Sequence, residues 1–352
     1  MKLLIETESS LRDYALKELE MILNKKGEKD RFNESLIVYD TKSITDDLMM
    51  ITLFSETVYS FYLEVGRFEV NVPDDMYRKA LEVNWHEFWD PGLTFAVRPV
   101  IRDQRISREI GVKVGQAIVD KFLTELGKRP RVNLSNPDIE IMAWLKENRL
   151  LLAINLCGEN LNNPEAVFAR SLLIISEWNY SKSMAEIFCD HVAISARRLA
   201  IRDPYREKVA RRIFIKTKFI DKERVLYLMR KNWRKYVENL RISCYERINR
   251  IDIVKQEKPE IRNVALKNIE QLNAGSEEYI LSNMLFVIEK KIEERKWLEK
   301  VFKILEQNRS WEKICLFMMS DAYPGKLIGE KVFEKNIKFK GMSCKIVCLY
   351  NK

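Results

Sequence analysis

Between residues 158 and 166 the chain reads Gly-Glu-Asn-Leu-Asn-Asn-Pro-Glu-Ala, a cluster of turn formers, and the elements on its two sides follow different orders. Before it, strand and helix patterns succeed one another as in small α+β sandwiches. After it, short apolar strands alternate with longer helical patterns, as in doubly wound sheets. One core cannot easily serve both arrangements, and 352 residues also exceed what a single core usually serves, so two or three domains are expected.

In the first half, residues 2–6 are a short apolar strand, and Ser9-Ser10 opens a helix whose Leu11, Tyr14, Ala15, Leu19 and Ile22 recur with the 3.6 period. A second strand is predicted at 35–39, a second helix at 46–60, and a partly alternating stretch at 62–72. This order suits a ferredoxin-like domain over 1–73. Val72-Pro73 marks a break. A helix at 75–83, a strand at 93–101, a helix at 107–126 and a hairpin (139–145 and 150–156, around Lys146-Glu147-Asn148-Arg149) then form a second α+β unit over 74–160. Beyond the linker, helices at 167–178, 194–201, 222–239 and 290–307 alternate with strands at 185–189, 213–215, 251–254, 279–282, 314–318 and 344–349. This alternation predicts a doubly wound α/β domain over 165–352.

With 61 Lys+Arg against 52 Asp+Glu, the net charge of +9 suits a polyanionic partner without requiring one. The opening Met-Lys-Leu-Leu-Ile is followed by Glu6, Glu8, Arg12 and Asp13, too short an apolar run for a signal peptide. No later stretch approaches 18 apolar residues, so a cytoplasmic protein with no membrane segment is expected. Six cysteines are scattered through such a chain, and all are expected as core thiols. Cys344 and Cys348 lie four apart with no accompanying Cys or His pair, and the only histidines are His86 and His191, so no metal site is expected.

The run from Phe95 to Arg108 carries Arg98, Arg102, Arg105 and Arg108 from a strand into the approach to a helix. Arginines there can hold phosphates in two-pronged contacts, and the free N–H groups of the helix N-terminus favour the same anions. An ordinary solvated loop is the alternative. The wider pattern adds Gly111-Val112-Lys113-Val114-Gly115-Gln116-Ala117-Ile118-Val119-Asp120, then Lys128-Arg129-Pro130-Arg131-Val132-Asn133, Pro137-Asp138-Ile139-Glu140-Ile141 and a closing strand through Ile154-Asn155-Leu156-Cys157-Gly158. About 65 residues thus resemble, in order, the THUMP domain of RNA-modifying enzymes. The resemblance implies binding of structured RNA, most often tRNA, with Arg98, Arg102, Arg105, Arg108, Lys113, Lys128, Arg129 and Arg131 as candidate contacts.

In members of this family that act on the guanine exocyclic amine, a Rossmann-like methyltransferase domain follows, with a cofactor loop near D-P-F-C-G-S-G-T. Here the run is Glu186-Ile187-Phe188-Cys189-Asp190-His191-Val192-Ala193, which has lost both glycines. Glycine at such positions lets the backbone approach S-adenosylmethionine, and side chains would occupy its space. Asp221, two residues past Phe219, is the candidate ribose acid, and Glu257 the candidate adenine-side acid. The catalytic loop, N-P-P-Y or D-P-P-Y in the family, corresponds to Asn283-Met284-Leu285-Phe286, where Asn283 and Phe286 match and both prolines are absent.

The resemblance therefore implies a degenerate member of the family: an RNA-binding THUMP protein whose cofactor residues (Glu186, Phe188, Asp190, Asp221, Glu257) and catalytic residues (Asn283, Phe286) are vestigial. No cofactor is expected. The methyltransferase-like domain would serve as a scaffold, a dimerisation surface or a platform for a partner protein. One alternative is an active S-adenosylmethionine-dependent tRNA or rRNA guanine methyltransferase with a divergent site. Another is a structural subunit that no longer touches RNA. Charge placement tests this last reading: free arginines in one exposed stripe favour binding, and arginines neutralised by carboxylates do not.

Overall fold

The computed structural model describes residues 1–101, 103–158, 160–178, 182–187, 192, 195, 218, 220, 221, 223, 261–264, 279–283, 294–307, 311–320, 329–339 and 341–351. The first half contains β1 (Lys2–Thr7), α1 (Arg12–Leu23), β2 (Glu28–Lys29), β3 (Leu36–Asp40), α2 (Ile44–Phe54), β4 (Val58–Glu69), α3 (Pro73–Leu81), β5 (Thr94–Val100), α4 (Gln104–Leu126), β6 (Arg131–Val132), β7 (Ile139–Lys146) and β8 (Arg149–Asn155). These strands form one eight-stranded mixed sheet in the order β2-β3-β1-β4-β8-β7-β5-β6. The sheet is continuous across residues 1–73 and 74–160, because the long β4 pairs antiparallel with β8 from Tyr62↔Asn155 to Glu69↔Arg149.

Alternation along the strands sends one set of apolar side chains to the helical face. Leu3 and Ile5 of β1, Phe61 and Leu63 of β4 and Ile139 and Ile141 of β7 share a buried core with Leu19 of α1, Leu48 of α2 and Ile110, Val114 and Phe122 of α4. The start of α4 departs from the sequence reading. Asp103 caps it, its carboxylate accepting from the N–H groups of Arg105 (2.9 Å) and Ile106 (3.1 Å), so Arg105 stands on the helix with Arg108 and not in a loop before it. Gly127, at φ +64°, closes the other end with its N–H on the Leu123 carbonyl.

The second half contains α5 (Pro164–Ser176), β9 (Met184–Ile187), β10 (Ile261–Val264), β11 (Tyr279–Asn283), α6 (Glu294–Gln307), β12 (Lys313–Met319), β13 (Glu330–Phe339) and β14 (Met342–Tyr350). Its sheet runs β10-β9-β11-β12-β14-β13; the first four strands are parallel, and β14 and β13 add an antiparallel edge. That is the doubly wound α/β arrangement with the mixed edge many such sheets carry. The sequence reading missed β13 because Glu330, Lys331, Glu334, Lys335 and Lys338 mask its pattern. Only Ile337 and Phe339 of that edge strand are buried. The strands expected at 213–215 and 251–254 lie outside the described residues. So do the helices expected at 194–201 and 222–239, apart from Ser195 and Glu223.

The two halves share a core. Leu11 and Tyr14, next to and on α1, pack with Phe168 and Leu172 of α5 and with Phe317 and Phe339 of the second sheet. Beneath them, Arg170 of α5 donates from Nε to Glu18 of α1 at 2.6 Å, with both side chains almost fully buried. Lys218 and Ile220 also link the halves: the Lys218 N–H donates to the Phe88 carbonyl (3.1 Å), and Ile220 is buried in the first core.

One expectation is corrected here. Cys315 and Cys348, read as separate core thiols, are joined as a disulfide; they stand opposite each other on β12 and β14 with Cα atoms 4.2 Å apart. Strand register brings them together across a sequence separation of 33, which sequence spacing does not reveal. Cys344 is buried and Cys157 half-buried, and neither is in a disulfide. Among the described residues, no helix is long and apolar enough to cross a membrane.

Candidate nucleic-acid interface

The outer edge of the first sheet is thin, because β5 is flanked by only the two-residue β6. Along that edge, between β5 and α4, lies an open groove of about 640 Å³. Phe95, Val97 and Pro99 of β5 form one wall, and Val132 and Leu134 close the far side. Val112, Val132 and Leu134 are 58%, 55% and 66% exposed, so this apolar surface faces solvent. Gly111 and Gly115 lie one turn apart along the α4 side.

Those two glycines are not demanded by packing. A β-carbon on Gly111 would meet Pro99 at 3.7 Å and one on Gly115 would meet Val97 at 3.9 Å, both ordinary contacts. Each costs the helix interior about 1 kcal/mol relative to alanine. What they provide is room in the groove.

The cations expected to contact RNA divide into two groups. Arg98 is engaged: its Nε donates to Glu140 at 3.0 Å and its Nη2 to the Leu134 carbonyl at 2.8 Å. Lys113 is paired with Asp74 at 2.6 Å. Arg105, Arg108, Lys128, Arg129 and Arg131 are exposed, and none has an ion-pair or side-chain hydrogen-bond partner among the described residues. Arg108 and Arg129 line the groove itself. Arg102 lies outside the described residues.

Sequence reasoning did not single out Asp120 or Gln116, although both stand in the segment it quoted. They lie one turn apart on α4 and line the groove. Tyr77 of α3 donates its hydroxyl to Asp120 Oδ2 at 2.9 Å, which holds the phenol above its usual range. The spacing of Gln116 and Asp120 was visible in the sequence, but the groove beside them required the fold.

At the methyltransferase-like loop, Glu186 near the end of β9 is fully buried, and its Oε1 accepts from the Val192 N–H at 2.9 Å. Val192 occupies the position of the family's second glycine. Its side chain is fully buried in the core shared by the two halves. Val192 thereby fastens this position to the core, where a glycine would leave only backbone. Asp221 is exposed, its N–H donating to Thr45 Oγ1 at 3.1 Å, so its backbone is docked on the first half. Asn283 is the last residue of β11, in parallel register with Phe317 of β12. Phe188, Asp190, Glu257 and Phe286 lie outside the described residues.

Restoring glycine at Val192 is therefore expected to cost stability. Losing a fully buried valine and gaining backbone freedom should lower unfolding free energy by about 2–3 kcal/mol. Urea unfolding of Val192→Gly checks this, and a change under about 0.5 kcal/mol, the level typical of surface substitutions, would show that the side chain is not packed in solution.

A THUMP domain joined to a methyltransferase-type α/β fold is the class that these two sheets define. Residues 71–155 match the family described as THUMP domain. Over its whole length the chain has the fold of TrmN from Thermus thermophilus (14% identity, TM-score 0.64, 100% of both chains covered). It is likewise similar to a predicted N6-adenine-specific DNA methylase from Listeria monocytogenes (12% identity, TM-score 0.70, covering 100% of this chain and 96% of that one). A third similar structure is SMU.472, assigned as a methyltransferase and solved in complex with SAH (12% identity, TM-score 0.68, covering 100% of this chain and 98% of that one).

Proposed function

We propose that this protein is a cytoplasmic RNA-binding protein that holds structured RNA, tRNA foremost, on its THUMP domain. In this reading the methyltransferase-like half neither takes up S-adenosylmethionine nor transfers a methyl group, and serves as a rigid scaffold with a surface for a second copy or a partner protein. The observation that carries the RNA reading is the set of unneutralised cations around an exposed apolar groove. Phosphates would meet Arg105, Arg108, Lys128, Arg129 and Arg131, and unstacked bases would lie against Pro99, Val112, Val132 and Leu134. The side chains at the two glycine positions, Asp190 and Val192, support the loss of cofactor binding.

The test is titration of unmodified tRNA at several salt concentrations. Affinity should fall by about 0.7 to 0.9 log unit per phosphate contact for each tenfold rise in salt. Binding that ignores salt, or no binding, would favour a structural subunit. A second reading, an active RNA guanine methyltransferase, is favoured by full-length likeness to a protein in complex with SAH. Incubating the protein and tRNA with labelled methyl donor separates the two. Label that is incorporated by wild type and lost in Asn283→Ala would establish the enzyme.

A further inference from the structure

We propose that Asp120, held in place by Tyr77, makes the groove select bases that carry an exocyclic amine, cytosine over uracil. This rests on the reading of the groove as a site for unstacked bases. Charge favours a nucleic-acid occupant: the apolar walls are flanked by Arg108 and Arg129, which no carboxylate among the described residues neutralises.

A carboxylate is acceptor-only. Asp120 Oδ2 already takes the Tyr77 hydroxyl proton, so the carboxylate is oriented before any ligand arrives. Its Oδ1 has no partner among the described residues. A base lying on the exposed apolar surface of the groove would therefore meet an acceptor from Asp120. Gln116, one turn earlier on the same groove, adds a donor and an acceptor. Cytosine presents its N4 amine to Asp120 and its N3 acceptor to the Gln116 amide. Uracil presents a carbonyl oxygen where cytosine has the amine, and that oxygen is repelled by the carboxylate. The two pyrimidines have the same ring size, so the distinction comes from hydrogen-bond polarity and not from stacking.

The experiment measures binding of equal-length fluorescent oligo(C) and oligo(U) to the full chain and to its Asp120→Asn, Tyr77→Phe and Arg108→Ala variants. Wild type should prefer oligo(C) by about tenfold, within the discrimination one good base contact supplies. Asp120→Asn, whose amide can turn to face either base, should bring the two affinities to within about twofold, mainly by improving oligo(U). Tyr77→Phe should shrink the preference while leaving oligo(U) binding unchanged. Thermal melting of each variant confirms that it is folded. Equal binding by wild type, or a preference that survives Asp120→Asn, overturns the inference and leaves the groove as an unselective base site. If neither oligonucleotide responds to Arg108→Ala, the groove is not the base site, and the reading beneath the inference fails as well.

Discussion

Replacing Arg170 with methionine is expected to destabilise the protein by about 3–5 kcal/mol, the cost of leaving one buried charge without its partner. Glu18 is fully buried. Its carboxylate accepts from Arg170 Nε at 2.6 Å, Thr57 Oγ1 at 2.5 Å, Ser55 Oγ at 2.8 Å and the Thr57 N–H at 3.1 Å. Burial alone would push its pKa up, but Arg170 and these hydroxyls outweigh it and hold the carboxyl below its usual range. A depressed pKa contributes stability that is present above the unfolded value and lost as pH falls through the folded one. The gap between wild type and Arg170→Met should therefore narrow on acidification, since protonating Glu18 removes the charge that Arg170 compensates. The double variant Glu18→Gln with Arg170→Met should recover much of the loss, because glutamine still accepts from Thr57. Urea unfolding at neutral and acidic pH measures all of this; a loss under about 1 kcal/mol at neutral pH would mean that water reaches the pair as it does an exposed one.

The second large effect is on RNA. Changing Arg105, Arg108 and Arg129 together to alanine should lower the salt dependence of tRNA binding by about 2 to 3 log units per tenfold in salt, and weaken binding about 10- to 100-fold near physiological salt, if each makes one phosphate contact. Stability should change little, because these side chains are exposed and hold no partner among the described residues. Arg98→Ala and Lys113→Ala are the contrast. Both belong to the same basic segment, but Glu140 and Asp74 already hold them. Each should cost much less in RNA affinity than Arg105, Arg108 or Arg129 changed singly. Equal losses at all five positions would mean that the ion pairs open on binding and that this division of the cations is wrong.

Much of the architecture is legible in the sequence because it is local. The turn formers before Pro164 mark where α5 begins, with Asn163 accepting from the Ala166 N–H at 2.8 Å as its cap. The hairpin around Glu147-Asn148 follows from two apolar runs separated by polar residues, and the THUMP segments lie in their family order over residues 71–155. The start of α4 was misplaced by about one turn because Asp103 reads equally well as a loop residue until its carboxylate is seen on the N–H groups of Arg105 and Ile106.

The candidate site was legible only as a list of basic residues. Which of them are free depends on strand register and helix docking: Glu140 reaches Arg98 across 42 residues and Asp74 reaches Lys113 across 39. Likewise Glu18 meets Arg170 across 152 residues, and Val192 turns into a core drawn from both halves. Periodicity along a chain reports which face of an element is buried, since burial repeats with the geometry of that element. It carries no information about which charge lies opposite which, because that pairing is set by how distant elements pack. Local pattern along the chain is enough to mark a THUMP segment and an α/β half, while the packing of distant elements sets which arginines are left to meet a phosphate and where a base can lie.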